Sequence, residues 1–364
     1  MVLRALALWL LCLVPAQAGQ VVMNTATGQV IAGDEETALR FPASITKLMT
    51  AYMALDAVAA GKIGWDAALP VSARAAAAPP VKLGLRAGQT ITMRQAVHAI
   101  LTRSSNDAAR VIAEAVSGSE TAFAQAMTQT ARGLGMSQTT FRNASGLPDR
   151  GHVSTAVDLA RMIAALDKRH GKRLRPLFRA TLSWGGQALG PRNGTVASPS
   201  GSVLGKTGFT CDAGFTAALL LERGGQQTAI VTLANPRKAA RANAIATLAR
   251  GKAPKVASLG SPPVVIPRDV CARGSKPKFG GWTVSLGDFR TRAEAKKALA
   301  AARKAGVKFP GHIVTREGRK GYHALLSAPS RGAARKAERP LRRARLRTRI
   351  LPPQKVAQAE FEPD

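Results

Sequence analysis

Three short motifs with serine, lysine and asparagine side chains occur along this chain: Ser44-Ile-Thr-Lys47, Ser104-Ser105-Asn106 and Lys206-Thr207-Gly208. Ser44 and Lys47 are three positions apart, so in a helix they lie on one face, one turn from each other. A serine hydroxyl becomes a strong nucleophile when a base removes its proton, and a lysine is such a base when burial and a nearby cation lower its pKa. The first motif therefore predicts a serine nucleophile with a lysine base, and Lys206 is the second cation.

The second motif supplies side chains that can assist the departure of the leaving group in such a reaction. Ser104 can pass a proton to a departing amine, and the Asn106 amide can bind substrate backbone and position Lys47. The motif falls between two helical patterns, which indicates a tight loop. Ser104 is therefore predicted to be catalytic, and Asn106 is predicted to bind substrate.

The third motif precedes Phe209 and lies just before a predicted strand. An edge strand with a glycine at this position lets a substrate backbone approach closely and pair with it. Lys206 and Thr207 then offer a charge and a hydroxyl to a terminal carboxylate. The backbone N–H groups of Ser44 and Phe209 are the predicted oxyanion donors.

Each motif taken alone could instead be a helix cap or a strand-entry turn. Ser275-Lys-Pro-Lys278 also has the Ser-x-x-Lys pattern, although it lies in a Pro-rich segment. Order and spacing favour a single site, because Ser104 follows Ser44 by 60 positions and Lys206 follows Ser104 by 102.

Hydrophobic periodicity predicts an α+β arrangement around these motifs. A helix is expected from residue 44 to about 60. A short hairpin over 21–31 is expected to join strands at 215–221 and 228–234 in one sheet. Further helices are predicted over 93–101, 106–116, 119–134, 155–166 and 237–249.

Composition divides the chain into segments. Residues 1–18 have a basic start, an apolar run and a small-x-small cleavage pattern, which predict an export signal rather than a retained membrane span. Lys, Pro and Gly dominate the stretch after residue 250, and a strand, a helix and two strands are predicted from 282 to 327. The predicted segments are 1–18 signal peptide, 19–250 catalytic domain, 251–278 linker, 279–350 second domain and 351–364 tail.

The net charge of +32 points to an anionic partner such as nucleic acid, a membrane surface or an acidic polymer. Four Trp and two Tyr offer few stacking platforms for single-stranded nucleic acid. Much of the charge lies in the Arg-rich run 331–349, for which a divergent helix, a disordered tail and an altered reading frame all remain open.

Cysteine and histidine usage indicates no metal site. Cys12 would leave with the signal peptide, and Cys211 and Cys271 fall in different predicted segments, so we do not expect them to pair. The five histidines are scattered without metal-ligand spacing. No metal and no cofactor is predicted.

Around its motifs the chain resembles the low-molecular-mass D-alanyl-D-alanine carboxypeptidases, penicillin-binding proteins of serine peptidase family S11. The resemblance covers about residues 20–250. It implies a penicillin-binding-protein/β-lactamase-like transpeptidase fold, in which an antiparallel sheet is flanked by helices and joined by a helical subdomain. The matching segments are Phe-Pro-Ala-Ser-Ile-Thr-Lys-Leu-Met-Thr (41–50), Lys-Leu-Gly-Leu (82–85), Ser-Ser-Asn-Asp-Ala-Ala (104–109), Asn-Ala-Ser-Gly-Leu-Pro (143–148), Ser-Thr-Ala-Val-Asp-Leu-Ala (154–160) and Lys-Thr-Gly-Phe-Thr (206–210).

By this resemblance, Ser44 would be acylated by the penultimate D-Ala carbonyl of a peptidoglycan stem pentapeptide, with Lys47 as the base. β-Lactam antibiotics would be covalent inhibitors. Lys206 and Thr207 would bind the terminal carboxylate. Arg192, 14 positions before Lys206, resembles an arginine that helps to bind that carboxylate in some members.

Other functions share some of these features. A class A-like β-lactamase needs a glutamate between the second and third motifs, and no glutamate occurs from 121 to 221. A D,D-endopeptidase that cuts peptidoglycan cross-links would use the same residues. A non-enzymatic glycan-binding scaffold is disfavoured because every motif side chain is present. Duplex DNA binding through the basic run would weaken steeply with salt, and no nucleic-acid partner is expected.

Residues 279–330 resemble a SPOR domain, a ferredoxin-like peptidoglycan-binding module. The matching segments are Gly-Trp-Thr-Val-Ser-Leu-Gly-Asp-Phe (281–289), Arg-Ala-Glu-Ala (292–295) and Gly-Tyr-His-Ala (321–324), and the resemblance fades after Ser327. It implies glycan strands as a partner and a location in the periplasm or cell wall, enriched at the division septum. No transmembrane anchor is predicted.

Overall fold

The computed structural model describes residues 18–251 and, with gaps at 308, 310, 316–321, 329, 345 and 347, residues 282–351. Most of the predicted signal peptide, linker and tail lies outside the described residues, as do Cys12 and Cys271. The described chain forms two compact units, the first within 18–251 and the second within 282–351.

The first unit mixes helices and short strands. Its helices are α1 (Lys47–Ala59), α2 (Ala73–Ala76), α3 (Met93–Thr102), α4 (Asn106–Ser117), α5 (Glu120–Gly133), α6 (Ala156–Phe178), α7 (Gly194–Ala197) and α8 (Lys238–Leu248). Its strands are β1 (Gln20–Asn24), β2 (Val30–Asp34), β3 (Ala68–Pro70), β4 (Thr90–Thr92), β5 (Leu182–Trp184), β6 (Gln187–Leu189), β7 (Ser202–Thr210), β8 (Gly214–Arg223) and β9 (Gln226–Asn235).

Five of these strands form an antiparallel sheet in the order β2-β1-β9-β8-β7. The N-terminal hairpin joins the late strands through β1 and β9, with Val21 opposite Val231, as the sequence predicted. β7 lies at the edge of the sheet, and β8 is its only strand partner among the described residues. Its other side can therefore accept an extended peptide as a further strand.

Both faces of this sheet are covered. Every residue of β8 from Gly214 to Leu221 is buried, without the alternation expected of a strand that faces water on one side. α6 and α8 both pack against β8 and β9. α1 packs against α3, α4 and α6 and is buried around most of its circumference, so a side chain at its start lies in the protein interior.

The local structure of two motifs differs from the prediction. Lys206-Thr207-Gly208 lies inside β7, because this strand begins at Ser202 and not after the motif. Ser44 belongs to a 3-10 turn, Ala43–Thr46, and the regular α-helix begins only at Lys47. Ser44 and Lys47 still face each other, because this turn passes directly into α1.

The helix predicted over 155–166 is also longer than expected. α6 continues to Phe178, since buried residues recur along it at Gly171, Leu174 and Phe178. Between these positions the helix is rich in lysine and arginine, which hide the apolar periodicity in the sequence. The added turns lay α6 along the sheet.

The second unit has the order strand, helix, strand, strand, helix, strand. Its elements are β10 (Trp282–Phe289), α9 (Arg292–Lys304), β11 (Gly311–Thr315), β12 (Tyr322–Ala328), α10 (Arg331–Arg343) and β13 (Arg349–Leu351). The strands form an antiparallel sheet in the order β11-β12-β10-β13. This order is that of a ferredoxin-like fold.

The Arg-rich run forms α10 and the strand after it. Ala334, Ala337 and Leu341 are buried in the core of the second unit, while Arg335 and Arg339 are not part of that core. The three buried residues follow helical spacing, so a narrow apolar stripe holds the helix on the sheet. The structure therefore shows a helix over most of this run and not a disordered tail.

Cys211 is disulfide-bonded, contrary to the expectation that it stays unpaired. The chain's other cysteines lie outside the described residues. No helix in the described part of the chain is both long and apolar enough to cross a membrane.

A buried carboxylate ties α6 to the sheet and gives a test of this packing. Arg175 contacts Asp167 through two parallel hydrogen bonds of 2.7 and 2.6 Å, and Gln227 on β9 donates to the same carboxylate at 3.0 Å. Asp167→Ala leaves Arg175 without this partner, so we expect a loss of about 1–3 kcal/mol in the free energy of unfolding. Urea unfolding measures it.

The control is Asp66→Ala, which removes an ion pair to Arg94 whose partners are both exposed. Exposed pairs contribute about 0–1 kcal/mol. Equal losses in the two variants would show that the Asp167 contacts do not hold α6 in place.

Candidate active site

The side chains of Ser44 and Lys47 meet at the junction between the 3-10 turn and α1. Lys47 Nζ lies 2.9 Å from Ser44 Oγ and donates a hydrogen bond of 2.7 Å to the backbone oxygen of Ser145. Lys47 is fully buried, whereas Ser44 is partly exposed. The Lys47 side chain is therefore shielded from water, whereas Ser44 remains accessible from outside.

The electrostatic surroundings of Lys47 favour its neutral form. Its pKa lies well below the usual value, first because burial removes the ammonium from water, and second because the cation of Lys206 repels it; Asp107 acts in the opposite direction. Burial, together with Arg241, lowers the pKa of Lys206 to about 7. A neutral Lys47 amine can accept the Ser44 proton.

The backbone before Ser44 is held in an unusual conformation. Ala43 has φ of +49°, which residues other than glycine seldom adopt. Gly146 lies against it so closely that a Cβ built there would be 1.8 Å from the Ala43 backbone oxygen. Gly146 itself has φ of +81°. Only glycine fits at this contact, which fixes the 143–147 loop against the nucleophile turn.

The 143–147 loop is shaped by one side chain. Asn143 Oδ1 accepts hydrogen bonds from the backbone N–H groups of Ser145, Gly146 and Leu147 at 3.2, 2.7 and 3.1 Å. Thr50 on α1 donates to the Ala144 oxygen at 2.6 Å. These bonds hold the Ser145 oxygen where Lys47 donates to it. The sequence linked this segment to the site only through the family resemblance.

A buried histidine supports the same region. His152 Nε2 is 2.9 Å from the Thr46 hydroxyl, and its Nδ1 accepts from the Arg142 N–H at 3.3 Å. Burial lowers the pKa of His152 to about 4. A neutral ring that accepts at Nδ1 carries its proton at Nε2, so it donates to Thr46. His152 was missed because a single histidine has no motif signal.

The second motif forms the loop between α3 and α4, as expected. Ser104 is partly exposed and has φ of +61°. Ser105 is the N-cap residue of α4, yet its side chain makes no capping hydrogen bond, and its Oγ is buried with no partner in the described part of the chain. The capping alternative for this serine is therefore wrong. Ser104 and Ser105, although adjacent, occupy different environments.

Asn106 contacts the protein differently from the prediction. Its Nδ2 donates to the backbone oxygens of Pro79 and Pro80, both at 3.0 Å. No contact with Lys47 is found among its hydrogen bonds in the described region. The amide oxygen of Asn106 accepts none of these bonds, so it can accept one from a substrate N–H.

Asp107 holds the segment 83–85 in place next to the second motif. Its carboxylate accepts hydrogen bonds from the backbone N–H groups of Leu83, Gly84 and Leu85 at 2.9–3.0 Å. This explains the matching segment 82–85, which lies against the second motif. Asp107 also contributes negative charge near Lys47. Apart from its adjacency to Asn106, nothing in the sequence indicated either role.

The third motif lies against the nucleophile turn along the outer edge of β7. A Cβ built on Gly208 would be 2.8 Å from Ser44 N. The strand therefore passes directly beside the Ser44 backbone, and the Phe209 N–H is one residue further along. Ser44 N–H belongs to the first turn of a helix, where N–H groups lack helical partners. The two predicted oxyanion donors are thus neighbours in space.

Lys206 is buried, with 2% of its surface exposed, and its Nζ donates to the backbone oxygen of Thr207 at 2.7 Å. Arg192 lies beside the second motif, because its N–H donates to the Thr102 oxygen at 2.8 Å, and its side chain is exposed. The structure thus brings Arg192 close to the second motif.

Arg241 is a further cation that the sequence did not indicate. It lies on α8, is 6% exposed, and lowers the pKa of Lys206. Its guanidinium lies 5.6 Å from the centre of the Phe215 ring and donates to Thr195 Oγ1 at 3.2 Å. Its Nε is buried with no hydrogen-bond partner in the described part of the chain. The sequence gives no local signal that Arg241 lies near Lys206, because the two residues are 35 positions apart.

Glu120 lies one residue outside the glutamate-free interval. It is buried, its Oε1 accepts from the Ala144 N–H at 3.3 Å, and its Oε2 pairs with Arg74 and Arg110. Its carboxylate is thus engaged in supporting the 143–147 loop. Glu120 is a structural group here and does not replace the missing deacylating base of a class A β-lactamase.

A serine in contact with a buried lysine of lowered pKa, beside the edge strand of a sheet, is typical of the serine acyl-transfer class. Residues 14–236 match the model of the D-alanyl-D-alanine carboxypeptidase family, peptidase S11, and the chain belongs to this family. Residues 278–348 match the SPOR domain. Both family resemblances drawn from the motifs are confirmed.

Among curated relatives, DacF of Bacillus subtilis, a D-alanyl-D-alanine carboxypeptidase, is 34% identical over 148 residues, which are 41% of this chain and 38% of that one. DacD of Escherichia coli, also a D-alanyl-D-alanine carboxypeptidase, is 32% identical over 202 residues, 54% and 52% of the two chains. The chain thus spans about half or less of the length of these relatives.

Among solved structures, penicillin-binding protein D2 of Listeria monocytogenes in a cefotaxime-bound form is 29% identical, with a TM-score of 0.58. The match covers 64% of this chain and 95% of that one. The penicillin-binding-protein-like fold predicted from the motifs is confirmed.

The buried cation of Lys206 predicts a stability effect that depends on pH. A lysine in the unfolded chain keeps its proton up to about pH 10.4, whereas folded Lys206 loses it near pH 7. The destabilisation is therefore largest below pH 7 and shrinks as pH rises to about 10, because across this range the unfolded chain binds more protons than the folded one and stability rises with pH. Met carries no charge, so we expect Lys206→Met to change the free energy of unfolding more favourably at pH 6 than at pH 10, with a difference between the two on the order of 1–4 kcal/mol. Urea unfolding at pH 6 and pH 10 measures it.

The matched control is Lys62→Met, because Lys62 is exposed. Its effect should be small at every pH. A Lys206→Met protein whose stability relative to the parent is the same at pH 6 and pH 10 would contradict the depressed pKa of the buried lysine.

Proposed function

We propose that this protein is a serine D-Ala-D-Ala carboxypeptidase that removes the terminal D-Ala from peptidoglycan stem pentapeptides, and that β-lactams acylate the same serine. One observation carries the proposal: Lys47 Nζ lies 2.9 Å from Ser44 Oγ in an interior that lowers the lysine pKa. Family membership supports the substrate class.

In the acylation step, Ser44 Oγ attacks the carbonyl carbon of the penultimate D-Ala while Lys47 takes the hydroxyl proton. The carbonyl oxygen becomes an oxyanion and accepts hydrogen bonds from the N–H groups of Ser44 and Phe209. As the tetrahedral intermediate collapses, the C–N bond breaks. The proton passes from Lys47 through the Ser104 hydroxyl to the departing amine. Water then hydrolyses the ester on Ser44 and releases the shortened peptide.

We assign the terminal carboxylate of the substrate to the middle of β7, where Lys206 lies. Lys206 and Thr207 are the predicted ligands of this carboxylate. The Arg192 side chain can approach it from the loop that contains Ser104. Arg241 joins this set, because its guanidinium lies close enough to Lys206 to lower the pKa of that lysine. A bound carboxylate offsets the mutual repulsion of these cations, which favours substrates with a free C-terminus.

The family match and the relatives favour a carboxypeptidase over a D,D-endopeptidase. An endopeptidase cuts a bond whose leaving residue is still joined to a second stem through its side chain, so that residue also needs space beyond the carboxylate. We therefore assign the carboxypeptidase activity, and pentapeptide and cross-linked muropeptide substrates distinguish the two activities.

The second unit is assigned a peptidoglycan-binding role. Its match to the SPOR domain and the cell-wall peptidase family of the first unit support a common polymeric substrate. We infer that the protein acts in the periplasm or cell wall and is enriched at the division septum through glycan strands.

The activity test compares two adjacent serines. The wild-type protein should release free D-Ala from a purified stem pentapeptide, and Ser44→Ala and Ser104→Ala should each lower kcat/KM by about a hundredfold or more. Ser105→Ala is the matched control, because the Ser105 hydroxyl makes no hydrogen bond in the described part of the chain. Liquid chromatography of the products measures the rates.

The outcomes separate the alternatives. Cleavage of cross-linked muropeptide without D-Ala release from pentapeptide would replace the carboxypeptidase with an endopeptidase. Fluorescent penicillin should label the wild-type and Ser105→Ala proteins, and labelling that persists in Ser44→Ala would contradict the assignment of the nucleophile. Rapid turnover of the label would indicate a β-lactamase.

The two lysines predict a bell-shaped pH dependence of kcat/KM. The rate should fall at low pH, because protonated Lys47 cannot accept the Ser44 proton. It should fall again as pH rises through about 7, because Lys206 then loses the charge that binds the carboxylate. Lys206→Arg keeps its charge and should move the alkaline limb to higher pH. An alkaline limb that is the same in both proteins would exclude Lys206 as its origin.

A further inference from the structure

The two helices of the second unit, α9 and α10, cover the same face of its sheet. Each helix buries three residues, and all six belong to one apolar cluster with Val284 and Leu326, which lie opposite each other on β10 and β12. The buried helix residues are Ala295, Ala298 and Ala302 on α9 and Ala334, Ala337 and Leu341 on α10. The outer sides of the two helices therefore form one side of this unit.

Both outer sides carry positive charge. A helix turns by about 100° per residue, so a side chain two positions after a buried one points to the opposite side. The basic residues at such positions are exposed, and they are Lys297 and Lys304 on α9 and Lys336, Arg339 and Arg343 on α10. Among the described residues, neither helix exposes a large apolar side chain. We call this side of the unit the cationic helix face.

Acidic side chains do not neutralise the cationic helix face. α9 contains five basic residues and one acidic residue, and α10 contains six and one. Glu294 caps its own helix, because its carboxylate accepts from the N–H groups of Arg290 and Thr291 at 3.0 and 3.1 Å. Glu338 lies 3.9 Å from Arg342. The five outward cations form no ion pair with any residue that the structure describes.

α10 also has a shallow depression with four guanidinium groups around it. Arg335, Arg339, Arg342 and Arg343 line this depression together with Glu338, and its volume is about 580 Å³. A guanidinium binds a phosphate through two parallel hydrogen bonds, which an ammonium cannot form. Five of the six cations of α10 are arginines. The chemistry of this helix therefore suits phosphate groups, and the depression can admit a phosphate-bearing headgroup.

We propose that the cationic helix face binds the surface of an anionic phospholipid membrane through the phosphates of the lipid headgroups. The helices lie against the headgroups and do not insert, because their apolar residues are already used in the core of the unit. This role goes beyond the proposed peptidase function and does not depend on it.

A planar partner accounts for charge on both helices, whereas a linear one does not require it. A linear polyanion such as nucleic acid can be bound along the cations of α10 alone. A membrane surface faces the outward side chains of α9 and α10 together. Each Lys or Arg close to an anionic leaflet raises the affinity about fivefold, so both helices should contribute to binding.

The test measures co-sedimentation with lipid vesicles of the protein from residue 19 onward, without the predicted signal peptide. Vesicles of phosphatidylglycerol and phosphatidylcholine in about a one-to-three ratio should bind the protein, and vesicles of phosphatidylcholine alone should not. Raising the salt concentration from about 0.1 M to about 1 M should weaken binding roughly tenfold or more, because the Debye length falls from about 10 to about 3 Å.

Two double variants locate the contact. Lys297→Gln with Lys304→Gln removes two outward cations of α9, and Arg339→Gln with Arg343→Gln removes two of α10. Each double variant should lower the affinity for the anionic vesicles roughly tenfold or more. Circular dichroism and thermal unfolding show that the variants are folded, which is expected because all four side chains are exposed.

The matched control is Lys62→Gln with Lys168→Gln, which removes two exposed cations of the first unit. It lowers the net charge by the same amount and should leave the affinity nearly unchanged. An equal loss in this control would show that net charge alone attracts the protein, and would overturn the inference.

Three further outcomes would also overturn it. One is equal binding to neutral and anionic vesicles. Another is an α9 double variant that binds the anionic vesicles as the wild type does. The third is soluble polyphosphate or duplex DNA that binds more tightly than the vesicles at equal phosphate concentration and depends on α10 alone, because the face would then be a site for a linear polyanion.

Discussion

The rest of the site depends on a buried Lys47, whose pKa is lowered well below the usual lysine value, at 2.9 Å from Ser44. A lysine in water holds its proton to about pH 10.4 and is no base at neutral pH. Here α1 carries the side chain into the interior, and the cation of Lys206 adds repulsion. The interaction therefore needs the start of a buried helix close to a buried part of a strand, and the 3-10 turn Ala43–Thr46, which packs against β7 and leads into α1, provides this.

Holding these groups together opposes stability, and the surrounding contacts offset that cost. Two buried lysines repel each other, and Ala43 has a backbone conformation unfavourable for a residue with a side chain. Asn143 arranges three backbone N–H groups so that the Ser145 oxygen faces Lys47. The 143–147 loop thus fixes the position of the Lys47 side chain, which gives this matching segment outside the three motifs a structural reason.

Elements set by local pattern could be predicted from the sequence, whereas those set by contacts between distant segments could not. Periodicity and spacing were enough to predict the helix after Ser44, the hairpin that joins β9 and the meeting of the first and third motifs in space. Arg241 could not be predicted, because a buried arginine on an ordinary helix has no local signature until β7 lies beside it. The length of α6 was missed because surface cations dominate a segment whose buried positions are sparse. The Arg-rich α10 was left open for the same reason, since its buried stripe is narrow.

Direct titration of the lysine side chains shows whether Lys47 is neutral at the pH of the reaction. With lysine labelled by ¹³C at Cε, the Lys47 signal can be assigned by its loss in Lys47→Arg and the Lys206 signal by its loss in Lys206→Met. We predict that Lys206 titrates near pH 7 and that Lys47 titrates well below the ordinary lysine value. The Lys47 midpoint should rise in Lys206→Met, because one source of repulsion is gone. A Lys47 signal that titrates near pH 10.4, as an exposed lysine does, would contradict the role of Lys47 as the base.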